Sequence, residues 1–161
     1  INIARADEVP PPAYQLAASS AGVPSEVLYA VALTESGLRI DGRIRPWPWT
    51  LNVAGKGRFF KTREDACIAL NQVLKSVSAK RVDVGLGQIN VGYHGQKVEQ
   101  HCDLLDPYLN LSIAAAILKS HHRTGNDWLI AIGRYHRPAG GGPAKRYRNI
   151  ASKHLERITS R

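Results

Sequence analysis

Methionine is missing altogether from the 161 residues, an initiator included. That absence predicts a processed or trimmed product, with 1–12 as a candidate mature start after removal of a signal peptide. Cysteine is scarce. Cys67 and Cys102 fit no zinc-ligand spacing, and without a clustered histidine pair they make a poor metal site. A single disulfide in an oxidising compartment and two buried thiols both remain open, since spacing cannot bring the two together. No run approaches the roughly 18 consecutive apolar residues of a membrane-spanning helix. Acidic residues are also few: 13 Asp+Glu against 22 Lys+Arg leave a net charge of +9. Such a balance favours polyanionic partners, whether nucleic acid, lipid headgroups or an acidic cell-wall polymer. Neither a helix-turn-helix nor an RNA-binding signature is present, so nucleic acid is not expected. The cations are densest at Lys145, Arg146, Arg148, Lys153, Arg157 and Arg161, as a solvated helix face or a docking surface.

The length suits one domain, 1–161, able to bury a real core. Helical signals dominate. A short helix follows Pro10-Pro11-Pro12 over 13–20, and Pro24-Ser25-Glu26 opens a second. Pro46-Trp47-Pro48-Trp49 excludes helix. Beyond it, 49–53 and 58–60 flank Gly55-Lys56-Gly57 in a β-hairpin pattern. Thr62 is a suitable N-cap for a helix to about Ser78. The segment 82–90, with two glycines, predicts a tight turn or short strand. Asp106-Pro107 caps an apolar helix ending near Gly125, and Asn126-Asp127 starts another in which Trp128, Ile132 and Tyr135 share a face. After Gly140-Gly141-Gly142-Pro143, a terminal amphipathic helix carries Ala144, Tyr147, Ala151, Leu155 and Ile158 as its apolar stripe. The fold class is mainly α (α+β), with an inserted hairpin and helix at about 43–80.

Within the second helix Glu35 closes a segment, 27–33, that carries no charge. Leu28, Val31, Ala32 and Glu35 form an i, i+3, i+4, i+7 series on one face. A carboxylate held among apolar neighbours is disfavoured in its charged form, which raises its pKa. A carboxylic acid able to donate a proton near neutral pH is made this way. The alternative for Glu35 is a structural ion pair with Arg39 or Arg43.

Three segments, Glu35-Ser36-Gly37, Gly85-Leu86-Gly87-Gln88-Ile89-Asn90 and Ile132-Gly133-Arg134-Tyr135-His136, resemble the ordered motifs of soluble lytic transglycosylases. Those motifs are Glu-Ser, Gly-Leu-Met-Gln and Ala-Tyr-Asn, and the family has the goose-type lysozyme fold. The resemblance spans about 13–151. Residues 46–60 and the lead-in 82–85 further resemble members encoded with conjugation and secretion systems. Gly87 stands where the family usually carries Met, and His136 where it carries Asn, which leaves the saccharide contacts at both positions open.

Most glycosidases use two carboxylates. The resemblance implies one: Glu35 as acid and then base in cleaving the MurNAc-GlcNAc β-1,4 bond, giving 1,6-anhydroMurNAc ends without metal or cofactor. It assigns saccharide contacts to Gln88, Asn90, Tyr135 and His136, with Ser36 bracing the helix end or touching substrate. Trp49, with Trp47 and Phe59, offers a sugar-stacking face or pins the hairpin. Asp41 is expected in a loop, and Asp83 bracing the turn that presents Gln88. His121 and His122 are expected at the surface, favoured by the helix dipole. The implied partners are peptidoglycan glycan strands and a trans-envelope secretion, conjugation or pilus complex, and the implied location is periplasmic or exported. A non-catalytic peptidoglycan-binding module and a hydrolytic lysozyme are the alternatives.

Overall fold

A computed structural model describes residues 8–159; positions 1–7 of the expected mature start, and Arg161 of the basic set, lie outside them. Helix α1 (Pro12–Ala21) leads into α2 (Ser25–Ser36). Seven consecutive residues of α2, Val27 through Leu33, are buried, so the helix is apolar all round and enclosed on every side. Its neighbours are α1, α5, α6, α7 and the strand pair that follows it. The face expected from Leu28, Val31 and Ala32 is therefore part of a wider enclosure, and α2 is the axis of the core.

Strands β1 (Gly37–Ile40) and β2 (Arg43–Pro46) form a two-stranded antiparallel ribbon. This ribbon was not expected from the sequence. Its turn, Asp41-Gly42, has positive φ at both residues (49° and 78°), the conformation that matches right-handed strand twist in a two-residue hairpin. A second sheet runs β4-β3-β5-β6, with β3 (Thr50–Val53), β4 (Lys56–Phe59), β5 (Val82–Val84) and β6 (Ile89–Asn90), all neighbours antiparallel. The hairpin expected at 49–60 is present, but it turns at Ala54-Gly55, and Lys56 and Gly57 already belong to β4.

Helix α3 (Arg63–Val73) starts at Thr62, whose hydroxyl accepts from Asp65 N at 3.1 Å. It stops short of Ser78, because turn bonds take over across the poorly helix-forming Ser76-Val77-Ser78. After a single 3-10 turn and the second sheet come α4 (Val91–His94) and a further 3-10 segment, His101–Leu105. Helix α5 (Pro107–His121) is capped by Asp106, which accepts from Leu109 N at 2.8 Å. It ends before Gly125, since His122 turns extended and stacks on Trp128 with ring centroids 3.7 Å apart. Asp127 caps α6 (Trp128–His136), and α7 (Gly142–Thr159) packs against both α6 and α2. Cys67 of α3 and Cys102 of the 3-10 segment are joined in a disulfide, with Cα atoms 5.4 Å apart. The described chain is 59% helical, the mainly α, lysozyme-like arrangement with a small antiparallel β element that the sequence led us to expect.

Candidate active site

Five elements converge on one cleft: the C-terminal end of α2, the β5–β6 hairpin, α4, α5 and α6. Together they enclose a cavity of about 890 Å³ lined by Glu35, Asp83, Gln88, Asn90, Tyr135 and His136, among others. Helix α7 closes the site from behind. Tyr147, on its buried stripe, donates its hydroxyl to Glu35 Oε1 at 2.8 Å.

Among the described residues no ion pair joins Glu35 to an arginine. Arg39 bonds instead to Gly42 O at 3.1 Å, in the exposed β1–β2 turn. Burial raises the Glu35 pKa from 4.5 to about 8; the Tyr147 hydrogen bond opposes the rise and the charge of Asp83 adds to it. A group so placed holds its proton at neutral pH and can still release it, the requirement for an acid that must next act as a base.

Gln88 sits at the head of the turn with φ 50°, unusual for a residue with a side chain. Its Nε2 donates to Gly85 O at 2.9 Å and Thr50 O at 3.2 Å, which anchors the amide nitrogen to the scaffold. The turn itself is clamped by Asn110 of α5, a fully buried side chain. Asn110 Oδ1 accepts from Gly87 N, while its Nδ2 donates to Val84 O and Leu104 O, each at 2.8 Å. Asn110 thus shares the bracing of the turn with Asp83, whose Oδ1 accepts from Asn90 Nδ2 at 2.9 Å across the β5–β6 pair. Sequence reasoning missed Asn110 because an asparagine within an apolar helix carries no motif; its polarity among Leu109, Leu111 and Ile113 is the available signal.

Gly87 is required by close approach. A Cβ there would lie 2.8 Å from both Ala114 Cβ and the Tyr135 hydroxyl. The Tyr135 hydroxyl uses that space to donate to Gly87 O at 2.6 Å. Tyr135 thus lines the cleft and ties α6 to the turn at once.

The remaining candidates divide. Ser36 is buried, and its hydroxyl lies 2.8 Å from Leu86 O and 3.0 Å from Ala32 O, so it braces the helix end and does not line the cavity. Asn90 lines the cleft, but its amide is engaged: Nδ2 donates to Asp83 Oδ1 and Lys80 O at 2.9 Å each, and Oδ1 accepts from Tyr93 N at 3.1 Å. His136 is exposed at the rim and stacks flat on Tyr147 at 4.8 Å. Trp49 packs against the core and does not line this cavity, and Trp47 Nε1 pins the hairpin by donating to Phe60 O at 2.7 Å. His121, expected at the surface, lines the cleft, with its pKa lowered by burial and by Arg134. Tyr147, read from sequence only as part of an apolar stripe, is the residue that contacts Glu35; its hydroxyl on that stripe was the clue.

The transglycosylase SLT domain family model matches residues 69–158, more than half of the chain, and the protein belongs to that family. Peptidoglycan is accordingly the substrate class to which its site relates. The match takes in the 85–90 turn, α5, α6 and nearly all of α7, but not α2, so Glu35 enters the site by geometry. Neither the curated proteins nor the solved structures contain a match to the chain.

Proposed function

We propose that this domain is a lytic transglycosylase that cleaves the MurNAc-GlcNAc β-1,4 bond and leaves 1,6-anhydroMurNAc ends. The observation that carries the reading is Glu35: a carboxyl at the cleft, its pKa raised by burial to about 8, hydrogen-bonded by Tyr147 and with no arginine ion pair among the described residues. Protonated Glu35 gives its proton to the glycosidic oxygen as the C1–O bond breaks. The substrate's N-acetyl carbonyl stabilises the sugar cation. Glu35, now a carboxylate, takes the proton of the C6 hydroxyl as that oxygen bonds to C1. Gln88, Tyr135 and His136 line the path of the glycan strand, and no cofactor is called for. The disulfide and the cationic surface both suit work on anionic sacculi in the periplasm or outside the cell. We assign the enzyme to local opening of the wall for a secretion, conjugation or pilus apparatus, on the likeness of residues 46–60 to members that serve such machines.

Mass spectrometry of muropeptides released from purified sacculi tests this directly. Anhydro ends are expected. Ends heavier by one water would make the enzyme a lysozyme, and no release at all would favour a non-catalytic binding module.

A further inference from the structure

The cleft does not end at Gln88. Asn90 caps α4 by accepting from Tyr93 N at 3.1 Å, and beyond it the cavity continues between α4 and α5. Tyr93, His94 and Lys97 line one wall there, Ser120 and His121 the other. The carboxyls of the cavity, Glu35 and Asp83, belong to α2 and β5; the α4–α5 end has none among its described lining residues. Lys97 is the one lysine or arginine among the described residues that line the cavity. It closes the 3-10 turn Gly95–Lys97, is exposed, and enters neither of the ion pairs found among the described residues, Arg63–Asp106 and Arg157–Glu8.

His94 adds a directional donor to that charge. Its Nδ1 is enclosed and has no hydrogen-bond partner among the described residues. A proton on Nδ1 would be a buried donor left unsatisfied, so the neutral ring carries it on Nε2. Nε2 is then the N–H that the ring can offer to the cleft it lines. The charge of Lys97 is felt at His94, where it joins burial in lowering the pKa, so the ammonium and the imidazole share one volume. Across from them, the Ser120 hydroxyl is committed to Ile117 O at 2.6 Å. An ammonium and an N–H, neither matched by an acceptor of the protein, suit a carboxylate.

The sugars of a GlcNAc-MurNAc strand are neutral. Its carboxylates all sit on one arm: the lactyl group of MurNAc, or the stem peptide that amidates that group. We propose that the α4–α5 end of the cleft is a carboxylate-reading subsite, in which Lys97 and His94 Nε2 hold the acidic arm of MurNAc. This rests on the glycan-cleavage reading above and deepens it. The enzyme selects strands that present an acidic arm at this end over neutral β-1,4 glycans of the same shape.

Calorimetric binding of three GlcNAc-MurNAc tetrasaccharides to the Glu35→Gln protein tests the subsite. One carries stem peptides, one is stripped so that its lactyl carboxylates are free, and one is the stripped form with those carboxylates converted to neutral carboxamides. At least one acidic ligand should bind about fivefold more tightly than the carboxamide, the upper range for an exposed ion pair. Whichever does so names the source of the carboxylate. Added to Glu35→Gln, Lys97→Gln should close the gap and leave carboxamide affinity unchanged. Lys97→Glu should invert the gap and Lys97→Arg should keep it, which a merely structural role would not produce. His94→Phe, which keeps a ring but removes the N–H, should narrow it. Equal affinity for all three ligands, no binding of any, a gap that survives Lys97→Gln or His94→Phe, or a loss shared by the carboxamide would overturn the proposal. Turnover of sacculi is followed separately. If the wild type releases nothing, or Glu35→Gln retains full activity, the glycan-cleavage reading fails whatever the binding gap; a wild type that turns over without a gap fails the subsite alone.

Discussion

The cleft and the β1–β4 region are built in contrasting ways. In the cleft, polar atoms are partnered across long stretches of chain: Tyr147 to Glu35, Ser36 to Leu86, Tyr135 to Gly87, Asn110 to Gly87. Each bond joins a different pair of elements, and several of the side chains are buried. In β1–β4 the bonds are mainly local, strand to neighbouring strand across a two-residue turn, and every residue of β4 is exposed. The cleft can therefore hold a titrating carboxyl in a defined environment, while the exposed edge strand β4 can vary without disturbing it; β3 is tied to the cleft, since Thr50 O accepts from Gln88 Nε2 and Gly85 N. A shared surface fold does not imply shared energetic importance.

Glu35→Gln breaks the comparison most severely, because it alters the atom around which the cleft is arranged. Turnover of glycan strands should fall by at least ~10²–10⁴-fold. The fold should persist, and the variant should gain relative stability as pH rises. Below pH 4.5 native and unfolded Glu35 both carry the proton. Between pH 4.5 and about 8 the unfolded chain releases it while the native protein retains it, so wild-type stability is lost across that window. A glutamine does not titrate, and its thermal melts should lack this decline. Melting temperature against pH for both proteins checks the sign; parallel curves would show that Glu35 is not held protonated.

The disulfide comes next. It ties α3, which follows the hairpin, to the segment leading into α5, and its two cysteines are 35 residues apart. Replacing both cysteines by serine should cost roughly 3–4 kcal/mol in the chain-entropy model. Urea denaturation of folded, non-reduced protein measures it. A loss below about 1 kcal/mol would mean that α3 docks by its apolar face alone, through Ala66, Leu70 and Val73.

Asn110→Ala probes the cleft from the side opposite to Glu35's chemistry. It removes one buried amide and strands Gly87 N, Val84 O and Leu104 O, at a cost of about 3 kcal/mol. The Gly85–Gln88 turn should loosen, seen as faster amide exchange at Gly87 and a higher KM. Unchanged exchange there would mean that the Asp83–Asn90 bond across the β5–β6 pair suffices to hold the turn.

The parts legible in the sequence are those in which local chemistry and final role coincide. Thr62, Asp106 and Asp127 cap the helices that follow them, as their side chains dictate. Glu35 was legible as a candidate because a carboxyl closing an apolar run is headed for burial, although the segment alone left an ion pair with Arg39 or Arg43 open. Asp41-Gly42 between Arg39-Ile40 and Arg43-Ile44 is a readable hairpin signal too, in strands too short and too polar to show an apolar alternation. Asn110 and Tyr147 were not legible, because each acquires its role from a residue at least 20 positions away. No local period encodes that Tyr147 will meet Glu35 across the α2–α7 interface. Ser36 illustrates the middle case: the motif marks it, but only its bond to Leu86 O shows that it braces the site.

The smallest effect is expected on β4, and it sharpens the contrast from the other side. Lys56 and Arg58 are exposed on an edge strand, where charge discourages pairing with another chain. They make no bond on which the cleft depends. The double charge reversal Lys56→Glu, Arg58→Glu should change stability by about 0.5 kcal/mol or less, as surface substitutions away from special features do. Turnover of short soluble glycan strands should be unaffected. Binding to intact anionic sacculi should weaken at low salt, with the difference shrinking toward physiological ionic strength, where exposed charges are screened over about 8 Å. Equal sacculus binding at low salt would remove β4 from the recruiting surface and leave that task to the cationic face of α7, through Lys145, Arg146 and Lys153. A loss of soluble-strand turnover, by contrast, would mean that the hairpin communicates with the cleft after all, through β3 and its pairing with Asp83's strand.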